Sequence, residues 1–282
     1  MLLRLSPVAL GAMLAFSTPA RAPLAKGFTY DFVQRTKSMN PMNGGSQELV
    51  GIRGKVLVDA AGHMRMDVKE SGKNPMWDTG DYALMSTSSV LIVSPQKKEF
   101  LELGADMGTN SMQDFMKQMN MDMKVTDGAI TLDSLPGTEL INGQQTKHFV
   151  VTRESSTEMT TPMGAMAIPT KSQTDYYVMR GRAPQNSAMA GQTASLSPTS
   201  VMSPESAQRT RAMMASMKGF AVRIVSHTST TLMGMTTEAT STTDIENLQE
   251  VEVAPIPAAA PAGYTKVNLV ERIRAMSPRG PG

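Results

Sequence analysis

The chain is 282 residues long, with 27 Lys and Arg against 25 Asp and Glu, no cysteine, 26 methionines, and only one Trp, five Tyr and seven Phe. Two of the cations, Arg4 and Arg21, fall in residues 1–22, so the rest is formally neutral and lacks the concentrated basic surface with which nucleic-acid-binding proteins displace counterions. Without cysteine there can be no disulfide, no thiolate chemistry and no cysteine-borne lipid anchor, and stability has to come from burial.

Residues 1–22 read as a cleavable secretory signal peptide. Arg4 supplies a basic start, Leu5 to Phe16 is mostly apolar, and Ala20-Arg21-Ala22 places small residues at a cleavage position before Pro23. The apolar run is shorter than the roughly 20 residues of a spanning helix and is broken by Ser6 and Pro7, and no later window reaches that length. The expected product is a periplasmic or secreted protein without a membrane span: one β-rich domain over 23–268, followed by a C-terminal tail over 269–282.

Alternation with a period of two dominates the first half of the expected domain. Phe28, Tyr30 and Phe32 alternate with Thr29, Asp31 and Val33, and Val56 and Val58 alternate with Lys55, Leu57 and Asp59. Ala60-Ala61-Gly62 turns the chain into Met64 to Val68, so 51–68 is a predicted hairpin. A second hairpin pairs Asp81 to Ser86 with Val90 to Ser94, and Glu99 to Leu103 adds a strand after the Pro95 turn. At Ser111 to Met121 the period changes. Met112, Phe115, Met116 and Met119 recur at helical spacing, which predicts a short amphipathic helix.

Strand patterning resumes at Lys124 to Leu132. Asn142-Gly143, between Gly137 to Ile141 and Thr146 to Arg153, is the strongest turn signal in the chain because both residues tolerate positive φ. Thr157 to Thr161 and Lys171 to Met179 read as the arms of a further hairpin with Pro162 to Met166 at its tip. Residues 183–204 are Ala, Ser, Pro, Gly and Gln with almost no large apolar side chain, which predicts a flexible loop. Ser203 is a predicted N-cap for a second helix, Pro204 to Lys218, with Met213, Met214 and Met217 on one face and Gly219 closing it. A Thr-rich hairpin, Phe220 to Leu232 with Met235 to Ile245, follows, and after the Pro/Ala stretch at 254–262 the chain docks again through Gly263 to Val267.

The residues offer little to catalysis. There is no Gly-x-Ser-x-Gly elbow and no Ser-x-x-Lys site in a helical setting. His63 lies beside a turn, His148 and His227 lie in strands, and none has the paired spacing of a zinc ligand. Asp78 with Asp81, and Asp127 with Asp133, lie near turns, where Asp is expected for backbone reasons. Methionine supports two readings. Its soft thioether selects Cu(I), which would recruit Met112, Met116, Met119, Met121 and Met123, above all Met119, Met121 and Met123, or else Met233 and Met235. Against a metal, the methionines are spread along the chain with no His or Cys beside them, so filling of an adaptable apolar core or cavity is the favoured reading.

The order of these elements resembles a known family. An aromatic first strand (Phe28, Tyr30), Gly54-Lys55-Val56 turning into Met64-Arg65-Met66-Asp67, Gly80-Asp81-Tyr82, Leu91 to Pro95 with Lys97-Lys98, Ile141-Asn142-Gly143 leading to His148-Phe149-Val150, Asp175-Tyr176-Tyr177, and Pro261-Ala262-Gly263-Tyr264 are similar to the DUF4412 type of exported bacterial protein. The resemblance spans roughly 27–268, and the loop at 183–204 departs from it. It implies a mainly β, open antiparallel half-barrel like the periplasmic lipoprotein carriers and receptors (LolA/LolB-like), with helices on or near the concave face. It implies a concave apolar surface that shields a lipid, an acyl chain or a lipid-modified protein, with no catalytic residues and no cofactor. On this reading the ligand-binding residues are Met112, Phe115, Met116, Met119, Met213, Met214 and Met217. The alternatives are a Cu(I)-binding protein and a plugged scaffold that holds nothing.

Overall fold

The computed structural model describes residues 24–39, 46–72, 77–86, 89–104, 122–161, 164–181, 204–232, 234–268 and 272. The predicted signal peptide, the helix expected at Ser111 to Met121 and most of the 183–204 loop lie outside these residues. The first strands are β1 (Ala25–Met39), β2 (Ser46–Val58), β3 (Met64–Glu70), β4 (Tyr82–Met85), β5 (Ser89–Ser94) and β6 (Glu99–Gly104). They are followed by β7 (Asp122–Ser134), β8 (Glu139–Ile141), β9 (Gln144–Thr161), β10 (Gly164–Met179), helix α1 (Pro204–Ser216), β11 (Phe220–Leu232), β12 (Met235–Val253) and β13 (Thr265–Val267).

One mainly antiparallel sheet joins all the strands, in the order β13-β6-β5-β4-β3-β2-β1-β12-β11-β10-β9-β7, with β8 beside β9. The ends of that order do not pair, so the sheet is open. The predicted hairpins are present, and Asn142 and Gly143 take positive φ of 50° and 76° at the β8–β9 turn. Three expectations change. Thr157 to Thr161 is no separate arm but the end of β9, which runs unbroken from Gln144. The second arm begins at Gly164 instead of Lys171 and so takes in Pro169, which is tolerated because β11 pairs with β10 only from Thr170 onward, leaving no ladder bond unmade on that side. Helix α1 stops at Ser216 instead of Lys218, whose φ of 45° is incompatible with continuing it.

The antiparallel rule also has one exception. β13 pairs with β6 in parallel, Thr265 opposite Glu99 through Val267 opposite Leu101. Residues 254–264 carry the chain from the end of β12, beside β1, across the sheet to β13 at the edge beside β6. Ile256, Ala260 and Tyr264 on this crossing pack with Tyr82, Leu84, Leu91, Val93, Phe100 and Val253 in one apolar cluster. The opposite side of the same strands, Ala83, Met85, Val90 and Ile92, belongs to the main core. Burial on both faces explains why β4 and β5 read as unbroken apolar runs.

The main core is assembled from β1 through β6 with Trp77, and it is closed by Ile141 of β8, Met179 at the end of β10, Phe220 and Val222 at the start of β11, and Ile245 in the middle of β12. Phe220 is fully buried and meets Tyr30 edge-on, ring centroids 5.3 Å apart. Four methionines, Met64, Met66, Met85 and Met179, are buried here as ordinary core residues. Truncating Phe220 to Ala removes the ring joining the two parts of the core, and a loss of about 3–5 kcal/mol is expected. Urea unfolding followed by circular dichroism will measure it; an unchanged midpoint would contradict this packing.

Candidate functional site

Side chains on β10 and β11 point alternately into two cores. Met179, Phe220 and Val222 enter the main one, whereas Val178, Ala221 and Ile224 join Phe149 and Val151 on the other side, with Ile130, Leu132 and Tyr176 packed around them. Helix α1 and the turn after it cover this second side: Met214 of the helix packs against the cluster, and Met217, just past Ser216, is buried in it. Met213 is half-buried on the same helix. The helix therefore lies on the side of β10–β11 turned away from the main core. Of the sequence-predicted ligand-binding residues, the structure brings together Met214 and Met217; Met112, Phe115, Met116, Met119 and Met121 lie outside the described residues. Met235, paired with Met233 as a copper candidate, is 53 % exposed at the start of β12.

Beside this cluster is a groove of about 740 Å³, bounded by the end of β7, the 135–138 loop, the β8–β9 hairpin and the end of β10. Its size is that of a small-molecule site. Its walls are held locally. The Leu135 N–H donates to the His148 carbonyl at 3.0 Å, the Thr146 hydroxyl to the Glu139 carbonyl at 2.9 Å, and the Gln145 amide to the Thr138 hydroxyl at 3.1 Å. Val178, itself part of the cluster under α1, forms part of the lining. Lys147, opposite Val178 in register, and Arg180 bring positive charge to the groove, and the Lys147 ammonium lies 5.2 Å from the centre of the Phe149 ring. Leu135, Pro136 and Val178 give the groove an apolar part that meets the cluster under α1 next to the two cations, while Thr138, Gln144, Gln145 and Thr146 make the rest polar.

The reverse side of β9 and β10 carries the most concentrated polar cluster. His148 stacks on Tyr177 with centroids 4.4 Å apart, its Nε2 is 2.8 Å from Asp175 and its Nδ1 is 3.2 Å from Glu139. The Gln173 amide donates to the other Asp175 oxygen. Desolvation, with Glu139 and Asp175 adding to it, raises the pKa of Tyr177 above the ordinary tyrosine value. Both ring nitrogens of His148 face carboxylates, and neither contacts a Ser or Thr hydroxyl that it could activate. Elsewhere, His63 sits 3.4 Å from Asp59, and His227 bonds the Thr240 hydroxyl.

Three of the four aspartates weighed in the sequence meet cations, Asp78 meeting Lys97 at 2.7 Å, while Asp133 is exposed on β7. Asp81 is buried, accepts the Asp78 N–H at 3.1 Å and meets Arg272 at 2.8 Å; Asp127 pairs with Arg153 at 2.6 Å. Among the described residues no group of three or more His, Cys, Asp and Glu is placed to hold a metal ion. No helix among them is long and apolar enough to cross a membrane. Compared with known proteins, the chain matches no family model and no curated protein.

Sequence reasoning missed the groove. Its one local signal was the Asn-Gly turn that builds the β8–β9 hairpin, because Lys147 meets Val178 only through strand register. Burial has a consequence that titration can read. Desolvation pushes Tyr176 up to about 12, and it pushes Tyr30, whose hydroxyl has no hydrogen-bond partner among the described residues, above the ordinary range. Tyrosines in the unfolded chain ionise near pH 10, so both groups leave stability intact below that pH and remove it as pH climbs through their folded values. Absorbance at 295 nm should show these tyrosines ionising together with alkaline unfolding. Reversible ionisation of all five near pH 10 with the sheet intact would contradict it.

Proposed function

We propose that this chain is the precursor of an exported binding protein that carries a hydrophobic ligand, a lipid or acyl chain with an anionic head, on an open half-barrel of strands. The observation that carries this reading is the continuity of the groove with the cluster under α1. Val178 belongs to both, so an acyl chain entering the groove meets Phe149, Met214 and Met217 next. Methionine suits such a wall because its unbranched, polarizable side chain repacks around ligands of different shape. Lys147 and Arg180 hold the head. The basic, apolar and small-residue zones of 1–22 support export, with mature protein beginning at Pro23. The order of strand motifs supports the half-barrel, and the sheet is open as that architecture requires.

The test is binding of a fluorescent fatty acid to the mature chain, compared with its uncharged methyl ester. Replacing Lys147 and Arg180 together by Glu should weaken the acid about tenfold, equivalent to about 1.4 kcal/mol, and leave the ester little changed. A parent protein that binds neither probe would reject the carrier and leave a scaffold whose core is plugged. Equal weakening of acid and ester would remove the two cations from the site.

A further inference from the structure

The mouth of the groove carries apolar side chains that the fold leaves in water. Four large apolar side chains are exposed among the described residues, and two of them, Leu135 at 39 % and Leu140 at 75 %, lie here. Leu135 lines the groove, and Leu140 stands opposite Gln145, another lining residue, in the β8–β9 ladder. Ile141 faces the main core, so alternation turns Leu140 the other way. The Leu135 N–H meets β9 at His148, three positions from Gln145, so the two leucines stand roughly 10 Å apart along the strand. The loop between them is braced: Thr146 bonds Glu139, Gln145 bonds Thr138, and the Asn142 amide donates to the Ile245 carbonyl.

Strand register sorts the charges around this mouth. Gln145, Lys147 and Phe149 share one face of β9, and direct pairing places Leu140 on that face. The neighbouring acids take the reverse face: Glu139 pairs with Thr146 and reaches His148 Nδ1 at 3.2 Å, and Asp133 pairs with Val150. Arg180 lines the groove from the end of β10. Lys218 is exposed just before Gly219, where an added Cβ would run into Val178 and the Met179 carbonyl, so the chain lies against the end of β10 and sets a third cation beside the groove. Among the described residues no carboxylate pairs with Lys147, Arg180 or Lys218.

We propose that this mouth is a docking surface for an anionic lipid bilayer. Leu135 and Leu140 enter the boundary between head groups and acyl chains, and Lys147, Arg180 and Lys218 meet the head groups around them. Peripheral binding of this kind scales with the apolar area buried together with attraction to anionic lipid. Each cation near such a surface is worth about fivefold in partitioning. An acid on the same face would be repelled, and the register has turned Glu139 and Asp133 away. A protein partner would need a separate pocket for each of two spaced leucines, whereas a bilayer needs none. Docking stands on the mouth alone and holds whether or not the groove takes a cargo.

The experiment uses the chain from Pro23 onward, which keeps every described residue, with vesicles of phosphatidylcholine alone or mixed with phosphatidylglycerol. The chain should sediment with the mixed vesicles, release as salt rises, and ignore phosphatidylcholine alone. Leu135→Ser with Leu140→Ser should weaken binding about tenfold, and Lys147→Gln with Arg180→Gln and Lys218→Gln roughly a hundredfold, with the sheet retained by circular dichroism. Because the chain has no cysteine, Leu140→Cys carries an environment-sensitive dye at a single site. Its emission should shift to the blue on mixed vesicles, whereas the same dye at Met235→Cys, exposed where β12 begins, should stay as in water. No sedimentation with mixed vesicles, equal binding to both kinds, unchanged binding in the leucine pair, or a blue shift at Met235 in place of Leu140 would each overturn the docking surface.

Discussion

Where β11 parts from β12 decides the rest of the structure. The last pair of that ladder is Arg223 opposite Asp244. Asp244 is buried and accepts from Arg223 Nε at 2.6 Å and from Arg35 at 3.1 Å, so one carboxylate ties three neighbouring strands at the point of separation. A buried carboxylate is tolerable only when charged and hydrogen-bonding partners offset its lost hydration, and two guanidinium groups supply them. Beyond it, Phe220 and Val222 have no partner in β12 and enter the main core, while β12 continues beside β1 past Asn247, whose φ is 54°. The Asn142 amide donates to the Ile245 carbonyl at 3.0 Å and brings the β8–β9 hairpin to the same junction.

The same separation creates the two sides of β10 and β11. Once one side is committed to the main core, Val178, Ala221 and Ile224 on the other need separate cover, and α1 provides it. The crossing segment does the same for β4–β6 at the far end, fixed by the Ile256 N–H donating to buried Asp59 at 2.9 Å. Asp59 also accepts the Ala61 and His63 N–H groups, so a turn residue of β2–β3 becomes the anchor of a segment almost two hundred positions later. Arg272 falls within the C-terminal tail expected from the sequence, yet it is buried against Asp81.

How much of this was legible depends on the range of the interactions. Hairpins were, because Asn142-Gly143 and Ala60-Ala61-Gly62 encode turns within a few residues and the two-residue alternation encodes which side is dry. α1 was legible for the same local reason. The parallel docking of β13, the length of β9 and the Asp244 junction were not, since each depends on a partner remote in sequence. Of the candidate site, Met214 and Met217 are legible from their helical spacing, whereas Lys147, Val178 and Arg180 carry no motif and meet only through register.

Methionine shows the same limit from the other direction. Counted along the chain, the 26 residues look evenly spread, which argues against a metal. Folding sorts them by chemistry. Met64, Met66, Met85 and Met179 become core filling, and Met214 and Met217 a repackable roof. The polar residues are sorted as well. His148, the imidazole with the most carboxylate around it, is stacked and bonded on the face of β9 opposite Phe149, so it stands away from the groove side. The groove keeps the two cations Lys147 and Arg180 beside the apolar Leu135 and Val178 and the uncharged polar Thr138, Gln144 and Gln145.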